Sequence, residues 1–159
     1  MSAIRPNRDQ FLALANAPDE GPVVMLNLLE FKERADGGGT GAAEYGKYSD
    51  SVIAMVEAQG GTVLWLGRAD QVLIGDESNE WDAVALVQYP SRKAFIEMVT
   101  TPEYEQAHEH RESGLKRTVL IACTPRETTA QRPDGSGARS RPMNTETTES
   151  RPMNKEGVL

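Results

Sequence analysis

The chain has 159 residues, 26% of them charged, with a formal net charge of −7. That length gives room for one domain, and the acidity argues against a nucleic-acid partner, which would need clustered Lys and Arg. One cysteine excludes an internal disulfide framework. Without an apolar run of about 18 residues or a basic-plus-apolar N-terminal signal, no membrane association and a cytoplasmic location are expected.

In chain order, Asn7 to Asn16 reads as a short helix stopped by Pro18. The next run, Pro22 to Phe31, is apolar on both alternating faces: Val23, Met25 and Leu29 point one way, Val24, Leu26 and Leu28 the other. A strand of that kind is covered on both sides. Asp36 to Gly41 is a glycine-rich loop. From Ala43 to Gln59 apolar residues recur at helical spacing (Tyr45, Tyr48, Val52, Met55, Val56), and Gly60-Gly61 closes the helix.

Thr62 to Leu66 is a strand, and Gln71 to Ile74 is expected to continue it past a bend or to form a short ribbon. Trp81 to Tyr89 is the next strand. Ser91 caps a helix carrying Ala94, Phe95, Met98 and Val99. Pro102 opens a second helical piece, Glu103 to Ser113, which Gly114 closes; Leu115 to Cys123 is the last strand.

The pattern is a helix followed by β-α-β-β-α-β. Its core is the ferredoxin-like plan, one antiparallel sheet with helices on one face, in the α+β class. Helices cover only one face of the doubly apolar strand, so the other face needs a second sheet. A homodimer through the sheet face, enclosing a barrel-like cavity, is the expected answer.

Residues 1–123 are read as this domain and 124–159 as a polar, disordered tail. The tail is rich in Thr, Arg, Pro, Glu, Ser and Gly and repeats Arg141-Pro-Met-Asn144 as Arg151-Pro-Met-Asn154. Its apolar residues are too few to offset the entropy of ordering it.

Several stretches together resemble the family called domain of unknown function 1330, within the dimeric α+β barrel superfamily. They are Pro22-Val-Val-Met-Leu-Asn27-Leu-Leu, Tyr45-Gly-Lys-Tyr48, Gly60-Gly61, Trp81-Asp82, Tyr89-Pro90-Ser91, Pro102-Glu-Tyr104, and His110-Arg111 followed by Gly114-Leu115. The resemblance implies a ferredoxin-like dimer and no single reaction. Its wider superfamily includes cofactor-independent monooxygenases, lactone isomerases, polyketide cyclases and haem enzymes.

Candidate chemistry centres on few residues. Asn27 is an amide on an apolar strand, either pinning backbone or donating into the cavity. Asp82 is a carboxylate at a strand end. Tyr104, His108 and Arg111 fall at i, i+4 and i+7 and share one helix face. There, His108 can move protons near neutral pH and Arg111 can clamp a carboxylate or enolate oxygen. The competing reading has Arg111 paired with nearby Glu residues and His108 partly exposed at the surface. Tyr48 and Trp81 are candidate cavity walls.

His108 and His110 point about 200° apart on a helix, the wrong geometry for one ion, so neither metal nor cofactor is expected. The catalytic candidates are thus His108, Arg111 and Asp82, and the substrate-binding candidates Asn27, Tyr48, Trp81 and Tyr104. Two functions fit. One is a cofactor-independent enzyme, of isomerase, cyclase or monooxygenase type, acting on a small organic acid or enolisable carbonyl. The other is a non-catalytic or stress-associated module that sequesters a small apolar or acidic ligand.

Overall fold

The computed structural model describes residues 3–126, and Met1–Pro125 group into one compact unit. The polar stretch expected to be disordered, with its duplicated Arg-Pro-Met-Asn, lies outside the described residues from 127 onward. The elements are α1 (Arg8–Ala15), β1 (Val23–Phe31), α2 (Gly41–Ala58), β2 (Thr62–Arg68), β3 (Ala83–Tyr89), α3 (Arg92–Val99), α4 (Pro102–Gly114) and β4 (Leu115–Cys123). The sheet order is β2-β3-β1-β4 with every neighbour antiparallel, the ferredoxin-like arrangement.

Local chemistry sets the element ends. Asn7 accepts the Gln10 N–H, and the Gln10 side chain accepts the Asn7 N–H, a reciprocal cap on α1. Thr40, Ser91 and Thr101 cap α2, α3 and α4, with Pro102 in the first turn of α4. Gly60 follows α2 at φ 77°, a backbone that favours glycine.

Gly41 and Gly114 serve a different purpose. A Cβ on Gly41 would stand 2.1 Å from the Lys32 carbonyl oxygen and 2.6 Å from that of Gly114. The start of α2 therefore sits directly against the end of α4. Lys32 ties the junction, its N–H donating to Gly114 O at 2.8 Å and its carbonyl accepting the Gly41 N–H at 3.0 Å.

Gln71 to Ile74 departs from expectation. It joins no strand, and Leu73 and Ile74 are 84% and 70% exposed. β2 is the edge strand on this side, so β-favouring residues beyond it find no neighbour to pair with. β3 also starts two residues later than the sequence suggests. Asp82 precedes it and uses its carboxylate to accept the Phe31 N–H at 2.7 Å.

The two sheet faces differ. Val23 and Met25 pack under the helices with Tyr48, Val52, Val56, Tyr89 and Met98, and Leu29 of the same strand face is fully buried. Strand alternation places Val24, Leu26, Leu28, Val84 and Leu86 on the opposite face, beside Trp65, Val119 and Ile121. There Trp65, Val119 and Ile121 remain 52%, 37% and 45% exposed, and all four helices lie on the other side.

Candidate functional site

A cavity of about 630 Å³ lies between the helices and the sheet, inside the single chain. It lies over the helix-covered side of the sheet. The reason is side-chain size on the covered face. Ala85 pairs with Asn27, and Ala122 with Met25, so the sheet floor is low there. Aromatic side chains (Tyr48, Tyr104, Tyr89, Phe95) fill the core around it and leave the space under α2 and α4 open.

The polar wall comes from α4. Its sequence from Pro102 to Gly114 has no Val, Leu or Ile, yet it buries Tyr104, Ala107, His108, Arg111 and Gly114. These fall at i, i+3, i+4, i+7 and i+10, one face of a helix. His108 and Arg111 are only 5% and 4% exposed, which removes the surface reading of His108. The Tyr48 and Tyr104 hydroxyls meet at 3.0 Å in the buried interior.

Arg111 is the unusual member. One terminal nitrogen donates to the Ile4 carbonyl at 3.0 Å, the other to Thr118 Oγ1 at 3.3 Å. Its guanidinium carbon lies 5.8 Å from the centre of the Tyr48 ring. Both acceptors are neutral, and among the described residues no carboxylate lies within 4.0 Å of it. The glutamates that could neutralise it are engaged elsewhere: Glu105 and Glu112 both pair with Arg5. A buried cation without a counter-ion costs several kcal/mol. Its place in the last turn of α4, near exposed carbonyl ends, offsets only part of that.

The field of this group reaches its neighbours. Burial pushes the Tyr45, Tyr48 and Tyr104 phenols up, while the Arg111 charge works against the rise. Burial, followed by the charges of Arg111 and Arg5, pushes the His108 imidazole down to about 4. His108 is therefore neutral near pH 7. Its Nδ1 is buried without a hydrogen-bond partner and stands 3.5 Å from Glu112 Oε1, outside hydrogen-bond geometry.

Five of the residues singled out from sequence meet at this cavity: Asn27, Tyr48, Tyr104, His108 and Arg111. Asn27 both borders it and pins backbone, donating to Met25 O at 3.2 Å and Ala85 O at 3.5 Å. Asp82 and Trp81 are not brought there. Asp82 borders a separate recess with Phe31 and Arg68. Trp81 lies beneath Arg117, whose guanidinium is 3.9 Å from the ring centre and is also held by Glu30. His110 points away from His108 and contacts Glu44 at 2.6 Å.

Sequence reasoning missed Ile4, Arg5, Phe11 and Thr118, all of which border the cavity. Thr118 carried a signal, a hydroxyl on the covered face in register with Leu29. The N-terminal residues carried none, because nothing local ties them to α4.

The family model described as Domain of unknown function (DUF1330) matches residues 39–124. The RPA0582 protein of unknown function from Rhodopseudomonas palustris superposes with a TM-score of 0.76 at 34% identity, covering 80% of this chain and 100% of its own. The chain belongs to the DUF1330 family. The methylated form of the same R. palustris protein gives a TM-score of 0.75 at 35% identity, over 79% of this chain and 96% of its own. A dimeric ferredoxin-like protein of unknown function from Jannaschia sp. CCS1 overlays with a TM-score of 0.49 at 11% identity, over 66% of this chain and 100% of its own. No curated protein matches the chain. Among the described residues of this DUF1330 member, no helix is long and apolar enough to cross a membrane.

Proposed function

We propose that this protein binds a small organic acid, with the apolar body in the helix–sheet cavity and the anionic head on Arg111. The carrying observation is the buried guanidinium whose described partners are all neutral. An apolar pocket with one convergent charge is the usual form of a small-ligand site, and an arginine presents a planar fork suited to a carboxylate or enolate. Asn27, Tyr48 and Tyr104 supply the remaining polar contacts.

The test is a fluorescence titration with 1-anilinonaphthalene-8-sulfonate, an anion, beside the neutral N-phenyl-1-naphthylamine. The wild type is expected to prefer the anion, and Arg111→Met to weaken the anion about tenfold or more while leaving the neutral dye unchanged. Equal loss of both dyes, or of neither, would reject the reading.

A second reading adds chemistry, favoured by the neutral His108 lying one helical turn from Arg111. In it Arg111 holds an enolate oxygen and His108 accepts the α-proton, with no cofactor taking part. Asp82, outside the cavity, has no part in it. Phenylpyruvate is a suitable probe, being anionic, apolar and enolisable. Enzyme-dependent deuterium exchange at its methylene, lost in His108→Gln, supports the enzyme; exchange no faster than in buffer leaves the binding function alone.

We also infer a homodimer through the uncovered sheet face. Its support is the set of apolar side chains on that face, which no described element covers. A two-fold pairing brings the same patch against itself.

A further inference from the structure

The N-terminal segment reaches the cavity from outside the sheet-and-helix frame. Ile4, Arg5, Phe11 and Leu14 border the cavity, yet α1 fully buries none of its residues. Two fastenings hold this strap to α4. Arg111 donates to the Ile4 carbonyl. Arg5 places its two terminal nitrogens on Glu105, at 2.7 and 3.1 Å, and donates from Nε to Glu112 Oε1.

The second fastening bears on His108. Glu112 follows His108 by four residues, the spacing at which helix side chains meet. The same Oε1 that receives Arg5 lies 3.5 Å from His108 Nδ1, which is buried and has no hydrogen-bond partner. A buried ring nitrogen left unpaired costs free energy, and a carboxylate a small rotation away is its nearest remedy. Arg5 thus holds the Glu112 oxygen that lies nearest to His108. The Arg5 pairs are about half-exposed and open to screening by salt, so the strap can lift while the α4 face beneath stays packed.

We propose that Arg5 is a positioning residue for His108: with the strap down it holds Glu112 off the imidazole, and with the strap lifted Glu112 takes the Nδ1–H. This rests on the cavity being the ligand site and gives that site a regulation. Lifting the strap both uncovers the cavity and changes the imidazole on its wall from neutral and unpaired to proton-binding. The groups facing His108 are Arg5 from the strap, then Glu105, Arg111, Glu112 and Tyr104 from α4. One ring further away on α2 is Tyr48, bonded to Tyr104. Burial is the largest influence holding the imidazole down, with Arg111 and Arg5 next. Removing Arg5 takes away one of these and frees an acceptor.

NMR titration of the His108 imidazole between about pH 3 and 8 tests this. The expected result is a His108 midpoint that rises by about one pH unit or more in Arg5→Gln. Adding Glu112→Gln to that variant should remove most of the rise. Wild-type protein in 1 M NaCl, where half-exposed pairs are screened, should move in the same direction and needs no variant to fold. A His108 midpoint unmoved by both Arg5→Gln and salt overturns the proposal, as does a rise undiminished in the double variant. The titration uses no ligand, so its failure is distinct from a failure of the dye comparison at Arg111.

Discussion

At Arg111 a charge is buried among neutral partners, and this has an unusual consequence for mutation. Removing one partner of a buried ion pair usually costs about 3–5 kcal/mol because it strands the other charge, whereas among the described residues Arg111 has no charged partner to strand. Arg111→Met is therefore expected to melt at or above the wild-type temperature while losing anion binding. A loss of more than about 2 kcal/mol in denaturant unfolding would instead make Arg111 a structural clamp for Ile4 and Thr118.

His108 gives a pH prediction. Its folded value is depressed to about 4 from 6.5, so between these values the unfolded chain binds a proton that the folded chain does not. Stability from this group is complete above about pH 6.5 and falls as pH drops toward 4, by an amount on the order of 1–3 kcal/mol. Glu105, held low by Arg5, acts in the same direction only below the usual carboxylate value of 4.5. Chemical denaturation from pH 7 to 4.5 should show a slope in the wild type that flattens in His108→Gln; identical slopes would contradict it. The spacing of Tyr104, His108 and Arg111 made their shared face legible in the sequence. Their burial was not, because depth depends on what lies opposite, and Thr118 and Ile4 are remote in sequence.

At the level of elements, β1, α2, α3 and β4 were readable because apolar periodicity, caps and turn residues agree there. Helix α4 was readable from its caps and Pro102, although the face that it buries has no aliphatic residue. The strand expected at Gln71 to Ile74 failed because strand preference cannot supply a neighbouring strand. The Gly41–Gly114 contact was hidden for a related reason: each glycine looks like an ordinary helix-end residue until the two helices meet. Gly41→Ala should cost roughly 2–4 kcal/mol, since the new methyl would meet backbone carbonyl oxygens that cannot move aside. Urea unfolding measures this directly, and a cost below about 0.5 kcal/mol would mean that α2 and α4 are not seated as described. Ala85→Leu raises the cavity floor instead, and should weaken both neutral and anionic dyes alike.

For the whole molecule, the doubly apolar first strand has one face under helices and one bare. Each large apolar side chain covered on that bare face gains about 1.5–3 kcal/mol, so light scattering at micromolar concentration should report a dimer. Ile121→Lys, on the bare face, should shift it toward monomer while the fold persists. Small residues, Ala85 and Ala122, lie on the helix side of the sheet and leave room for the cavity there. The proposed binding site and the proposed dimer face are tested by separate variants, Arg111→Met and Ile121→Lys. The claim that matters most is the anion on Arg111, and a crystal structure with 1-anilinonaphthalene-8-sulfonate addresses it most directly. The sulfonate is expected within hydrogen-bond distance of the Arg111 guanidinium and the rings between α2, α4 and the sheet. A dye seated on the bare face, with Arg111 still held only by Ile4 and Thr118, would contradict it.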